Sequence, residues 1–166
     1  GDDELAARVE TAMAIARSAT SARPPLVIVN DRVHVAAQAG ADGVHVGARD
    51  MPVTETRRVL GSDVIIGRTA HSIDEARQAV ADGADYLGVG PCFPSTTKSF
   101  ASHASRAFLA EAAKLPLPVF AIGGITFDRV SELRSLGIER IAVAAAITLA
   151  VDPAVAARNL VDALTE

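Results

Sequence analysis

The sequence has 166 residues, about the size of one domain, and 49% of them are apolar, which is enough for a buried core. The net charge is −4, with Lys and Arg spread among Asp and Glu, so no basic stripe indicates nucleic acid or an anionic membrane as a partner. No apolar run reaches the roughly 20 residues of a membrane-spanning helix, and the single cysteine, Cys92, cannot form an internal disulfide, which favours a cytoplasmic location.

The first predicted element is an amphipathic helix over residues 4–18, with Leu5, Val9 and Met13 at helical spacing. The acidic start of the chain lacks the basic-then-apolar order of a signal peptide. It also lacks an initiator Met, so we expect a segment upstream of residue 1 to be missing.

Six short apolar runs follow this helix, and each is too short for a helix and too continuous for a half-solvated strand. Each is therefore predicted to be a strand buried on both faces. The predicted strands are 26–29, 43–46, 64–66, 86–89, 119–122 and 141–144. Helices are predicted after them, over 32–39, 53–60, 73–82, 105–114, 127–136 and 153–164. This alternation requires parallel strands with covering helices.

A weak internal repeat supports the same fold class. Residues 39–44 resemble residues 82–87, and residues 136–141 are a looser copy. In each copy a Gly ends a helix, a short apolar residue packs the turn, an acidic residue faces water and a strand begins. The repeated junction favours a symmetric α/β array.

The number of elements indicates the architecture. A closed barrel needs eight strands, and one β-α-β segment before residue 1 would complete it, with the helix 4–18 as the second helix. We predict a single domain over residues 1–166, a TIM (β/α)8 barrel that lacks its first β-α-β segment in this chain. An open six-stranded sheet is the less favoured alternative.

In such a barrel, chemistry collects at the carboxyl ends of the strands. Asp31 and Asp50 follow neighbouring predicted strands and could share Mg2+, which typically takes one or two carboxylates together with ligand phosphates and water. Each could instead cap the helix that follows it. Only their occurrence on adjacent loops favours the metal.

Two loops have the composition of anion sites. Residues 95–98 offer three hydroxyls and an ammonium group. This segment is either a binding site for a diphosphate or a solvated loop. Gly123 and Gly124 let backbone N–H groups approach an anion closely, in a loop that is a usual phosphate site of this fold. The alternative is that they are helix-cap glycines.

Two histidines and the cysteine allow more than one interpretation. His45 lies inside an apolar run and is more typical of a packed residue than of a catalyst. His71 follows a strand end and could act as an acid or base, or could merely cap the helix at Ser72. Cys92 is predicted to be a small buried residue.

The motifs together resemble those of the thiamine phosphate synthase family. Residues 30–32 (Asn-Asp-Arg), and residues 41–47 with Asp50, are similar to the N-D-R and A-D-G-V-H-L-G-Q-x-D signatures of that family. Residues 88–98 are similar to its G-x-G-P-x-F-P-T-x-T-K loop, and residues 121–125 match its A-I-G-G-I. The order and spacing agree over nearly the whole chain.

The resemblance implies that a hydroxymethylpyrimidine diphosphate loses its diphosphate and that the nitrogen of a thiazole phosphate captures the pyrimidinylmethyl centre. It implies that Mg2+ neutralises the charge on the departing diphosphate. It implies that Asp31 and Asp50 hold the Mg2+. It implies that Asn30, Thr69 and Lys98 contact the diphosphate, and Thr69 and Lys98 are the catalytic candidates. It also implies hydroxyl ligands at Ser95 and Thr97, and contacts to the thiazole phosphate at Gly124 and Ala145.

The chain departs from the family pattern in places, and two other functions stay open. The Gln-x-Arg-x-Lys segment is absent, Ser95 replaces the commoner Thr, and Ser is usual where Thr69 and Ala145 stand. One alternative is a thiazole tautomerase that uses His71, and another is a non-catalytic ligand-binding barrel. The expected partners are small phosphorylated substrates, not nucleic acid or membranes, and a homo-oligomer is left open.

Overall fold

The computed structural model describes residues 1–94 and 102–165. Contacts between Cα atoms divide the chain into two compact units, which we call the first unit (Gly1–Thr69 with Ala81–Asp85) and the second unit (Ala70–Val80 with Tyr86–Glu166). In the described part of the chain, no helix has both the length and the apolar character that crossing a membrane would require.

The first unit contains three parallel strands in chain order. Its β1 pairs with β2 through Val29 and Val44, and β2 pairs with β3 through Val44 and Ile66, all of them buried. The buried aliphatic side chains of these strands form the core against which the helices pack. The elements are α1 Asp2–Ser18, β1 Ile28–Asn30, α2 Val33–Ala39, β2 Gly43–Val46, α3 Val53–Leu60 and β3 Ile65–Ala70.

The second unit repeats this plan. Its β4 pairs in parallel with β5, and β5 pairs in parallel with β6. A 3-10 turn, Phe127–Arg129, precedes its third helix. The elements are α4 Ile73–Ala81, β4 Tyr86–Val89, α5 Arg106–Ala112, β5 Val119–Ile122, α6 Val130–Ser135, β6 Arg140–Ala142, α7 Ala145–Thr148 and α8 Pro153–Thr165.

The α/β class with parallel strands is confirmed, and the strands 43–46, 86–89 and 119–122 have the predicted bounds. The third strand is longer than predicted because pairing with β2 continues through Arg68, where the side chains turn polar. The last strand ends at Ala142 instead of residue 144, and the short helix α7, which was not predicted, begins at Ala145. Alanine is the strongest helix former, which fits a helix at this place.

Burial on both faces is wrong for parts of the sheet. Leu87 and Val89 of β4 are fully buried, but Ile141 and Ala142 of β6 are half-buried and Ile122 of β5 is 45% exposed. Arg140, which precedes the predicted strand and begins β6, is exposed. Among the described strands of its unit, β6 pairs only with β5, so its other edge receives no strand hydrogen bonds there. An edge strand tolerates a charged residue such as Arg140 that a central strand would not.

The three repeat junctions adopt the predicted left-handed glycine, with φ of 60° at Gly40, 85° at Gly83 and 85° at Gly137. The acidic residues differ. Asp42 and Asp85 do more than face water, because each accepts a 2.7 Å hydrogen bond from a backbone N–H, that of Val27 and that of Ile66 respectively.

Asp85 is the more highly connected of these two carboxylates. Its Oδ2 also accepts a 2.6 Å bond from Arg57, whose guanidinium donates to the carbonyl oxygen of Val64 at 2.6 Å as well. Glu139, the third copy, is exposed, and its contact among the described residues is a 3.6 Å ion pair with Arg140. Asp85 thus holds together the start of β3 and the end of α3.

In the second unit, the loop that follows β4 is hydrogen-bonded to the loop that follows β5. The N–H of Cys92 donates to the carbonyl of Ile122 at 2.9 Å, and the N–H of Phe93 donates to that of Gly123 at 3.0 Å. Gly124 has a φ of 62°, and a Cβ there would meet the carbonyl oxygens of Phe93, at 2.5 Å, and of Pro94. Both the backbone angle and the close packing therefore require glycine at 124.

We expect Asp85→Ala to lower the free energy of unfolding by about 1–3 kcal/mol, because a backbone N–H and the Arg57 guanidinium lose a charged acceptor. The matched control is Glu139→Ala, whose exposed side chain bonds no backbone group of a neighbouring strand in the described structure. Urea denaturation of both variants measures the difference. Equal effects would show that the carboxylate of Asp85 is not a structural link.

We expect Gly124→Ala to be more destabilising than Gly40→Ala, although the two glycines have nearly the same φ. Gly40 has nothing within 4 Å of an added Cβ, so alanine there costs only the left-handed backbone, about 1–2 kcal/mol. At Gly124 the clash with the Phe93 and Pro94 carbonyls adds about 1–3 kcal/mol. Thermal and urea unfolding would reveal the gap, and its absence would mean that the loop moves aside freely.

Candidate active site

Asp31 stands directly after β1 in an unusual backbone conformation. It is the one non-glycine residue with positive φ in the described structure, at 63°. Its N–H donates to the carbonyl of His45 on β2 at 2.8 Å, and its own carbonyl accepts from Val33 at 3.2 Å. Aspartate tolerates this region better than most residues, but the conformation still costs free energy, which is common where side chains are placed for function.

Neither aspartate stands at the N-cap position of the helix that follows it. The N-cap of α2 is Arg32 and that of α3 is Pro52, and neither of these two residues makes a side-chain cap hydrogen bond. Asp50 instead accepts a 2.7 Å bond from the N–H of Gly47 through Oδ2. Its carboxylate therefore closes the turn that follows β2.

Arg68 holds the other side of the same turn. Its guanidinium donates to the carbonyl of Gly47 at 2.6 Å, so the Gly47 backbone is bound by Arg68 at its oxygen and by Asp50 at its nitrogen. This arrangement fixes the half-buried Asp50 carboxylate in one orientation. Arg68 was not among the site residues predicted from the sequence, and the signal for it was a charged residue shortly after an apolar run.

The oxygen donors of this region suit a hard cation. Carboxylate oxygens are the ligands that Mg2+ takes from proteins, one or two at a time, and each oxygen can accept more than one partner. Within residues 1–94 and 102–165, no group of three or more His, Cys, Asp or Glu side chains could hold a metal ion by itself. A Mg2+ site at Asp31 and Asp50 would thus need oxygens from a ligand, and it stays a prediction.

Thr69 and His45 are brought together by the sheet. Thr69 lies in β3, half-buried, and its Oγ1 is 2.8 Å from Nε2 of His45 on β2. His45 is therefore a packed residue whose ring is hydrogen-bonded. Burial lowers the pKa of His45, the Arg68 guanidinium lowers it further, and the Asp50 carboxylate opposes part of the shift. The ring is accordingly neutral at neutral pH.

His71 lies two residues before α4, and its backbone N–H takes part in the hydrogen bonds at the N-terminus of that helix. Its N–H donates to the Glu75 carboxylate at 2.7 Å, and the N–H of Glu75 donates to the Ser72 hydroxyl at 3.2 Å. The side chain that caps α4 is thus that of Ser72, whereas His71 contributes its backbone N–H. The His71 Nδ1 is 2.6 Å from the carbonyl oxygen of Gly90, so Nδ1 carries the proton.

The residues proposed to bind the thiazole phosphate lie in the second unit. Gly124 is half-buried against the Phe93 and Pro94 carbonyls, so loop packing already accounts for glycine at this position. Ala145 is the first residue of α7, which has four residues and no side-chain cap. Ser95, Thr97 and Lys98 lie outside the described residues.

Cys92 is buried, as predicted. Burial raises the pKa of its thiol to about 11, and a hydrogen bond from the backbone of Ile122 opposes the shift. A thiol in this environment stays protonated and is a poor nucleophile at neutral pH.

Comparison with known proteins agrees with the motifs. The family model described as thiamine monophosphate synthase matches residues 2–147. The thiamine-phosphate synthase of Synechococcus sp. (strain WH7803) is 45% identical over 141 residues, 84% of this chain and 40% of the relative. That of Anaeromyxobacter dehalogenans (strain 2CP-C) is 48% identical over 137 residues, 81% of this chain and 62% of the relative.

A solved structure is similar over almost the whole chain. The thiamine phosphate pyrophosphorylase from Pyrococcus furiosus has a TM-score of 0.87 and 32% identity, and the match covers 99% of this chain and 78% of that one. The matches to the Synechococcus and Anaeromyxobacter proteins cover 40% and 62% of those relatives, so the chain spans less than two thirds of the length of either. On the family match and these identities, the chain belongs to the thiamine monophosphate synthase family.

Proposed function

We propose that the protein is a thiamine phosphate synthase, which joins hydroxymethylpyrimidine diphosphate to thiazole phosphate and releases diphosphate. The observation that carries the proposal is the family match over residues 2–147, which includes both aspartates, Thr69 and the residues 95–98. The relatives of 45% and 48% identity are themselves named thiamine-phosphate synthases.

The reaction breaks the bond between the pyrimidinylmethyl carbon and the diphosphate oxygen, and both electrons of that bond leave with the diphosphate. The thiazole nitrogen then donates its lone pair to the carbon and forms the new C–N bond. The main demand on the protein is to stabilise the negative charge on the departing diphosphate.

The residues at the carboxyl ends of β1, β2 and β3 would meet that demand. Asp31 and Asp50 would hold Mg2+, which when bound neutralises diphosphate oxygens. Asn30 ends β1 and is exposed, and Thr69 near the end of β3 presents a hydroxyl, so both are able to donate hydrogen bonds to the diphosphate.

The remaining substrate contacts of the proposal follow the family motif. Lys98 would offset charge on the leaving group, and the hydroxyls of Ser95 and Thr97 would bind its oxygens. The backbone N–H groups of Gly124 and Ala145 would bind the thiazole phosphate. Closure of the strands into an eight-stranded barrel, a missing first β-α-β segment and a cytoplasmic location likewise stay predictions.

We expect Asp50→Ala to abolish Mg2+-dependent turnover in the complete gene product. Because Asp50 also binds the N–H of Gly47, the sharper variant is Asp50→Asn, which retains an oxygen acceptor for that bond but loses the charge that binds a cation. Turnover is measured as thiamine phosphate formed against Mg2+ concentration, and the thermal midpoint reports the fold. Wild-type turnover in Asp50→Asn would remove Asp50 from the metal site.

We expect Lys98→Ala to lower synthase turnover by about tenfold or more, on the order of 1.4 kcal/mol in the barrier, because its charge offsets the leaving diphosphate. His71→Ala should cost less, since a proton transfer on a thiazole is the chemistry of a tautomerase. Lys114→Ala, at an exposed residue paired with Glu111, is the matched control.

Both reactions are assayed with each variant, the formation of thiamine phosphate and the isomerisation of the thiazole. If Lys98→Ala is silent while His71→Ala abolishes isomerisation, the protein is a tautomerase. If neither product forms with the wild-type protein, the non-catalytic alternative is correct.

A further inference from the structure

The parallel register of β2 and β3 places one histidine beside one proposed diphosphate ligand. His45 is opposite Gly67, and Thr69 lies two residues further along β3, on the same face of the strand. Gly67 has no side chain, so the imidazole can reach past it to Thr69. The resulting distance between His45 Nε2 and Thr69 Oγ1 is 2.8 Å, a full hydrogen bond.

The direction of this bond decides what the threonine can do. A hydroxyl has one proton to donate and two lone pairs that accept. If Thr69 gave its proton to His45, it would present only lone pairs to a phosphate oxygen, and the two would repel each other. If Thr69 accepts from His45, its proton is available to the anion. Among the described residues, Thr69 Oγ1 makes no other hydrogen bond.

We propose that His45 is a positioning residue that acts through Thr69: Nε2–H of His45 donates to Thr69 Oγ1 and thereby directs the threonine proton toward a diphosphate oxygen of the substrate. The inference rests on the proposed function for the identity of the anion. The direction of the His45–Thr69 bond does not depend on the proposed function, because it can be observed in the protein without substrate.

The surroundings of His45 support a specific role for the ring. Its neighbours Val44 and Val46 in β2 are fully buried on the opposite face of the strand, whereas His45 is half-buried on the face it shares with Thr69. Nε2 of His45 and Oγ1 of Thr69 are 2.8 Å apart, so the presence or absence of a proton on Nε2 sets the direction of the bond.

The first test measures the tautomer directly. Two-bond ¹⁵N–¹H correlation spectra of the ¹⁵N-histidine-labelled protein, with His45→Gln used to assign the signals, show which ring nitrogen of His45 carries the proton. We expect the Nε2–H tautomer. A neutral ring protonated at Nδ1, which would accept from Thr69, overturns the proposal even if the protein is an active synthase.

The second test asks whether His45 acts through Thr69. His45→Leu removes the donor, and His45→Gln places an amide N–H2 near the position of Nε2. We expect His45→Leu to lower kcat for thiamine phosphate formation about fivefold or more, and His45→Gln to recover most of the loss. In a Thr69→Val background, His45→Leu should have no further effect on kcat, because the hydroxyl to which His45 donates is absent.

The controls separate positioning from folding and from the proposed function. His34→Leu, at an exposed histidine of α2, should keep wild-type kcat, and the thermal midpoint of His45→Gln should stay near that of the wild type. An equal loss from His45→Leu in both Thr69 backgrounds contradicts the proposal. A wild-type protein without synthase activity contradicts the proposed function instead, and the tautomer measurement then decides the His45 proposal alone.

Discussion

The parallel register between β2 and β3 is the constraint on which the candidate site of the first unit depends. It sets His45 opposite Gly67 and Val46 opposite Arg68. Because side chains alternate along a strand, one shift of a residue would turn His45 and Thr69 to opposite faces and would move Arg68 away from the Gly47 turn. The buried pair of Val44 and Ile66 stabilises this register, since any shift would expose apolar surface.

Arg68 links the electrostatics of the site to its geometry. Its bond to the Gly47 carbonyl and the bond of Asp50 to the Gly47 N–H hold one short turn from two sides. The same guanidinium helps to keep His45 neutral, against the opposing effect of Asp50. The Arg68 guanidinium thus helps to hold the turn that positions the Asp50 carboxylate, and it favours the neutral form of the His45 imidazole. A phosphorylated ligand that bound here would meet side chains already held in position.

Glycine has different reasons for its presence in the two units. At Gly40 the backbone alone requires it, because the helix ends in a left-handed residue with open space around the Cα. At Gly124 the carbonyls of Phe93 and Pro94 fill the space where a Cβ would lie. The glycine pair after β5 therefore has a packing role in addition to the phosphate role proposed for it, and the two roles are compatible because packing uses the Cα side and an anion would use the N–H.

The sequence by itself determined the α/β class, the parallel strands, three strands with correct bounds, the left-handed junction glycines and, through its motifs, the family. These features depend on local patterns: runs of β-branched residues, glycine at helix ends and polar residues directly after strands. Only the tertiary structure decided that neither aspartate is the N-cap residue of a helix, that Asp50 and Arg68 both bind the backbone of Gly47, and that His45 bonds Thr69. Those contacts join residues 24 positions apart for His45 and Thr69 and 21 apart for Gly47 and Arg68. The physical reason is that strand register, a property of two segments packed together, cannot be read from the pattern of either segment alone.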